Sequence, residues 1–285
     1  MQRVAAGEVG VLAFNGLRFL VGALVILPFT GTHGSKITAF QPVGSESEKR
    51  NAQRVTVLGL LLAGLLLASG AAFQQAGLKY TTAGNAGFIT GLYVVLIPLM
   101  LALGGRRRAR PVTWAAAFLA AGGLFLLSTG GSLQISRGDG LVLAGTVFWA
   151  LHVILIDWMV RRMDVLRFAA GQYLVCGLAS LALGFFIEPG GLKPVLDHWW
   201  VVAYTGVVSV GLGYTLQASS QRVAPPADAA ILLSMEAVFA ALAGWVFLQE
   251  RLEPVQLTGC AVILAGMLLA QSEAFFGKRE VEAGR

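Results

Sequence analysis

RVAPPADAAILLSMEAVFAALAGWVFLQERLEPVQLTGCAVILAGM, residues 222–267, aligns without a gap to KYTTAGNAGFITGLYVVLIPLMLALGGRRRARPVTWAAAFLAAGGL, residues 79–124. The match extends both ways, so residues 58–128 fall on 201–271 at a constant offset of 143. Ten positions are identical: Gly70/Gly213, Gln74/Gln217, Ala86/Ala229, Val95/Val238, Leu99/Leu242, Arg108/Arg251, Pro111/Pro254, Val112/Val255, Gly123/Gly266 and Leu126/Leu269. Ten identities between apolar stretches carry little alone, but the two copies also share their punctuation. Each has a helix ending in a Gln, a short loop that starts basic (Lys79, Arg222), a second apolar stretch, a polar hinge closing on Pro, and a last stretch containing Gly.

The hinges show how the copies are related. Arg106–Arg110 holds four arginines, whereas Gln249-Glu250-Arg251-Leu252-Glu253 is net acidic. Equivalent loops with opposite charge balance lie on opposite faces of a membrane, so the two copies read as an inverted repeat, a construction common in secondary carriers.

Composition makes the membrane unavoidable. Of 285 residues, 56% are hydrophobic and 13% charged, and the mean hydropathy is +0.72. A soluble domain carries about a quarter charged residues. The 36 glycines agree, since glycine is more frequent in transmembrane helices than in soluble ones. The net charge of +6 gathers in short clusters between apolar runs and on no common face, which argues against a nucleic-acid surface.

Nine segments have the roughly 20 apolar residues that a bilayer core requires: about 9–30, 55–74, 85–104, 111–129, 140–160, 167–187, 199–218, 228–248 and 255–272. The amino-terminal one is interrupted by Asn15 and Arg18 and lacks a small-residue cleavage site, so it reads as a mature helix. Gly31 to Arg54 is polar and reads as an exposed loop. With the N-terminus outside and the C-terminus inside, fifteen Lys and Arg fall on the inner side. Five fall outside: Arg3, Lys79, Arg137, Lys193 and Arg251. The repeats are expected at 1–131 (four helices) and 136–272 (five), with a cytoplasmic tail at 273–285.

These features resemble the EamA-type members of the drug/metabolite transporter superfamily. The resemblance is carried by FNGLRFLVGALVILPF (14–29), AGLKYTTAGNAGFITGLYVVLIPL (76–99), GDGLVLAGTVFWALHVILI (138–156) and, most strongly, residues 222–267. It implies an all-α fold of ten helices in two inverted repeats of five, here without the first helix. It also implies a carrier of amino acids, other metabolites or drugs in the cell membrane, often an exporter. Two positions depart from the family pattern: Ala237 stands where a Pro is frequent, and Gln249 replaces a Gly.

Charges inside a bilayer are costly and rare, and carrier sites lie near mid-depth, so intramembrane polar groups are the candidates for a solute or ion pathway. Glu236 is first, able to bind an amine or relay a proton; its plain alternative is a structural pair with Arg18. Arg18 shares a helical face with Asn15 and Gly22, a stripe that should point inward, and could equally brace the bundle. His152, with Trp149 one turn before it, either lines a cavity or bonds a neighbouring helix. Tyr93 occupies in the first copy the place that Glu236 holds in the second. Tyr214 lies on the helix of Gln217, whose counterpart is Gln74. Asp157, four residues before Arg161, reads as a local ion pair. The small pairs Gly87/Gly91, Ala230/Ser234 and Ala240/Gly244 suit close helix packing or a homodimer contact.

There is no Gly-Lys-Ser/Thr phosphate loop, no His-Glu-x-x-His and no Gly-x-Ser-x-Gly. His33, His152 and His198 lie in different segments, and Cys176 and Cys260 lie in apolar ones. No cofactor, no metal and no enzymatic activity are expected. The expected partners are a small solute, protons and the lipid bilayer; the rival readings are a non-transporting membrane scaffold or sensor, and a membrane-embedded enzyme.

Overall fold

Lipid offers no hydrogen-bond partner to the backbone, so an apolar stretch that crosses a bilayer must satisfy its own amides and carbonyls as a helix. The computed structural model describes residues 10–31, 46–104, 110–132, 135–188, 192–248 and 251–283. Residues 1–9, 32–45, 105–109, 133–134, 189–191, 249–250 and 284–285 lie outside the described residues, as do the side chains of Ala240 and Gly244.

Among the described residues, nine helical stretches are long and apolar enough to cross a membrane. The first is α1 (Val11–Ile26), extended by a 3₁₀ turn Leu27–Thr30. It is followed by α2 (Glu46–Leu78), the broken pair α3 (Ala83–Gly91) and α4 (Tyr93–Leu103), and α5 (Pro111–Thr129). The second half begins with α6 (Asp139–Val160) and α7 (Val165–Ile187), then a short α8 (Lys193–Asp197). The next span joins α9 (Trp199–Tyr204), a π-helix over Thr205–Tyr214 and α10 (Thr215–Ser220). A second broken pair, α11 (Pro226–Leu233) and α12 (Met235–Leu248), precedes α13 (Pro254–Ala283).

The expectation of one loop from Gly31 to Arg54 is wrong at its far end, because Glu46–Arg54 is the first part of α2. Glu46 and Glu48 stand in its first turn, where negative charge meets the positive end of the helix dipole. Lys49 pairs with Glu46 at 3.8 Å, so polar residues prolong the helix beyond the apolar span. The tail likewise is helical as far as Ala283, a continuation of α13.

Close helix crossings show the inverted relationship directly. A Cβ placed on Gly123 of α5 would lie 2.7 Å from the Gly259 carbonyl oxygen of α13, and one on Gly259 would lie 2.7 Å from that of Gly123. The matched positions repeat the contact, with a Cβ on Gly266 only 2.9 Å from the Ala116 carbonyl oxygen. As one residue number rises the other falls, so α5 and α13 run antiparallel about a pseudo-two-fold axis. The same holds for α1 and α7, where Gly16 and Gly177 face each other's carbonyl oxygens at 3.1 Å.

Both copies break a helix at the same depth. α3 gives way to α4 at Leu92, and α11 to α12 at Ser234, which matches Gly91. After each break the chain restarts with a tight i→i−3 bond, Val95 to Leu92 at 3.0 Å and Ala237 to Ser234 at 3.2 Å. The second interruption forms with alanine at 237, without the proline frequent in the family.

Candidate functional site

α1 carries Asn15 and Arg18 on its inner face, Asn15 at 0% and Arg18 at 2% exposure, and Gly22 continues the buried stripe. The stripe is narrow because small residues let neighbours close on it. A Cβ on Gly22 would lie 3.1 Å from the Gly206 carbonyl oxygen of the π-helix, and one on Gly206 would lie 2.9 Å from that of Arg18. The π-helix matches a stretch of unbroken α-helix in the first copy. Such wide turns are rare and cluster at functional sites. Here it ends on Tyr214, whose ring stacks on Phe19 of α1 (centroids 5.9 Å apart, planes at 11°) and on Trp149 of α6 (5.8 Å, 27°). Tyr173 of α7 leans on Phe19 at 6.2 Å and shares a 3.1 Å hydrogen bond with Thr215.

Arg18 lies at the edge of this aromatic stack. Its guanidinium carbon is 5.1 Å from the Phe19 centroid and 5.4 Å from that of Phe14. Each such contact contributes about 0.5–2 kcal/mol, against an insertion cost of about 2.5–3.5 kcal/mol for a mid-membrane arginine. Ring faces do not, however, satisfy the five N–H donors of a guanidinium, which need oxygen acceptors. Among the described residues Arg18 forms no ion pair, and its buried Nε has no hydrogen-bond partner. Both amide atoms of Asn15 are also buried without a partner.

Glu236 does not pair with Arg18. It begins α12 one residue after the break at Ser234 and is exposed, on a face shared with Phe239, Leu242 and Val246. The carboxyl group is within electrostatic reach of the Tyr93 and Tyr214 hydroxyls, and Arg18 is within reach of Tyr214. Tyr214 is therefore near both charges. Tyr93, matched to Glu236 by the repeat, packs at the edge of the apolar cluster around Val94, Ile97 and Ala150.

His152 is engaged otherwise. Its Nε2 is 2.8 Å from Gln172 Oε1, a buried bond between α6 and α7, and its ring meets Trp149 edge-on at 6.1 Å. This is the interhelical bond that was the plainer alternative to a cavity lining. Trp149 Nε1, His152 Nδ1 and Gln172 Nε2 are buried without partners. Gln74 donates to Thr90 at 3.0 Å, tying α2 to α3, and Asp157 and Arg161 form their local pair at 2.6 Å.

The sequence-picked residues thus come together from five spans: Asn15 and Arg18, Tyr93, Trp149 and His152, Tyr214, and Glu236. Sequence reasoning passed over Phe19, Gln172 and Tyr173, which complete the cluster. Gln172 had a signal, a lone amide deep in the apolar run 167–187; the aromatics had none, being ordinary in a membrane helix. The resulting cluster is aromatic, with a cationic group and a carboxyl group both near Tyr214. Among the described residues, no group of three or more His, Cys, Asp or Glu is placed to hold a metal.

Comparison with known proteins agrees with this architecture. The chain is 28% identical over 269 residues to an uncharacterized transporter of Archaeoglobus fulgidus, covering 94% of this chain and 79% of that one. It is 26% identical over 276 residues to the threonine/homoserine exporter RhtA of Escherichia coli K12, covering 91% and 81%. A solved crystal structure superposes with a TM-score of 0.74 over 94% of this chain and 90% of the other at 21% identity, a likeness of fold. The family model described as the EamA-like transporter family matches residues 1–129 and 136–271. The family model's match along almost the whole chain, whose described residues include nine helices long and apolar enough to span a membrane, places this chain in the EamA-like transporter family.

Proposed function

We propose that the chain is a secondary carrier that exports small metabolites, amino acids and their relatives among them, across the cell membrane. The two repeats, 1–131 and 136–272, rock about their crossing helices and expose the polar cluster to each side in turn, with the N-terminus outside and the tail 273–285 in the cytoplasm. The proton gradient or the solute's own gradient supplies the drive. The observation that carries the reading is the convergence of Arg18, Trp149, Tyr214, Tyr93 and Glu236 from both repeats onto one mid-depth cluster. The printed name of the Escherichia coli relative supports an exported amino acid.

The test has two parts. Overexpression should protect cells against some members of a panel of toxic amino-acid analogues and metabolites, which identifies cargo and direction. In proteoliposomes, Glu236→Gln should reduce flux of that cargo at least about tenfold, the order expected for a positioned acid or base, while purifying as a folded protein. Unchanged flux removes Glu236 from the mechanism, and no flux of any panel member by the native protein favours the scaffold.

A further inference from the structure

Among the described residues, Arg18 is a buried cation without a counter-charge. On α1 it is 2% exposed; its ring neighbours Phe14 and Phe19 accept no hydrogen bonds from the plane of its donors, and its Nε is unpartnered. Among the described residues no backbone carbonyl receives it, so it does not brace a helix end there. Among the described residues Glu236, a carboxylate near Tyr214, forms no ion pair with Arg18. One turn earlier on the same face, Asn15 presents a buried and unpartnered amide. Two adjacent groups, one cationic and one a neutral donor and acceptor, are held ready on a single helical face. A planar anion with two oxygens would satisfy both, because a guanidinium offers parallel N–H donors to a carboxylate.

We infer that Arg18, assisted by Asn15, is the binding residue for a carboxylate on the transported solute. The stacked rings of Phe19, Tyr214 and Trp149 form the wall along which the solute's body lies. Glu236, also near Tyr214, then takes the solute's cationic group. The inference rests on the carrier reading above and narrows it: the cargo is a monocarboxylate, and a zwitterion satisfies both groups.

Binding to the purified full-length protein in detergent decides this without transport. The probes are the twenty proteinogenic L-amino acids and, for each, its carboxamide, which keeps the ammonium and the side chain and removes the anion. The readout is the ligand-dependent rise in unfolding temperature, converted to apparent affinity. At least one acid is expected to bind roughly 10- to 100-fold more tightly than its amide, the range of a hydrogen bond to a charged group. That preference should vanish in Arg18→Gln and survive in part in Arg18→Lys, which keeps the charge at shorter reach. The proposal is overturned if no acid binds, if acid and amide bind alike, or if Arg18→Gln keeps the preference. Should Arg18→Gln fail to fold, the acid-to-amide ratio in the native protein and in Asn15→Ala, expected to fall several-fold, carries the decision. The two readings fail separately. A carboxylate preference together with unchanged flux in Glu236→Gln leaves Arg18 in place and removes Glu236; loss of flux without any preference does the reverse.

Discussion

The first and second repeats place the same kind of helix in different surroundings. In the first, Gly70 and Gly77 of α2 are buried against α6, with a Cβ on Gly70 only 3.2 Å from the Trp149 ring. Their matched residues in the second repeat, Gly213 and Ser220, are exposed, and the neighbouring Leu212 and Leu216 are 57% and 59% exposed. The reason is topological: α6 packs against α2, and among the described residues no helix packs in the same way against the π-helix and α10. The same asymmetry separates Tyr93, half-buried beside α6, from Glu236, which is exposed. An inverted repeat therefore need not give two equivalent walls. Where no described helix covers one copy, its polar residues and its irregular helix lie open instead of sealed.

The largest effect should come where the repeats are most alike. Gly123→Leu forces a side chain into the backbone of α13 at the pseudo-two-fold crossing and should cost about 3 kcal/mol or more, because tight crossings in membranes depend on small residues. Loss of monodisperse protein on size-exclusion chromatography checks it. Near-normal yield and unfolding temperature would mean that the crossing is not tight.

The next prediction is differential. Gly70→Val pushes against Trp149, whereas a Cβ on Gly213 meets only the Val208 carbonyl oxygen at 3.5 Å. The first should destabilise by about 1–3 kcal/mol and the second by under about 0.5 kcal/mol. Equal losses in thermal unfolding would show that the second repeat is covered as well as the first.

A smaller effect belongs to a feature of one repeat boundary. Glu188, at the end of α7, accepts the backbone N–H groups of Leu12 (2.8 Å) and Ala13 (3.0 Å) and so caps α1. Glu188→Ala should cost roughly 1–2 kcal/mol, read as faster amide exchange confined to the first turn of α1; protection unchanged there would exclude the cap. The smallest is Asp157→Asn. It removes a partly exposed local pair with Arg161, worth about 0.3–0.5 kcal/mol, and thermal unfolding should barely register it. A loss of about 2 kcal/mol or more, several times the worth of a surface pair, would reveal a hidden network.

Much of this architecture was legible beforehand. The nine spans follow from runs of apolar residues, and their inverted relationship from the charge reversal between Arg106–Arg110 and 249–253. Arg18, His152 and Glu236 stood out as ionisable groups within apolar spans, Tyr93 as the counterpart of Glu236, and Asn15, Trp149 and Tyr214 as neighbours of other polar residues on the same helices. Three things were not visible. The helical start of α2 at Glu46 lies among polar residues that water tolerates in either a loop or a helix. The cap from Glu188 joins residues more than 170 apart in the chain. The separation of Arg18 from Glu236 depends on which face of α12 looks inward.

By itself, the sequence determined the class of the protein, the number of its spans and their duplicated, opposed arrangement. Those properties depend on the average composition of long segments and on charge counts, which the bilayer reads without regard to packing. Tertiary structure alone decided which polar groups meet. The π-helix turns Tyr214 onto Phe19 and Trp149, the break at Ser234 sets Glu236 apart from Arg18, and Gln172 rather than a solute takes His152. Those outcomes depend on helix rotation and on approaches of a few ångströms, and hydropathy carries no record of either.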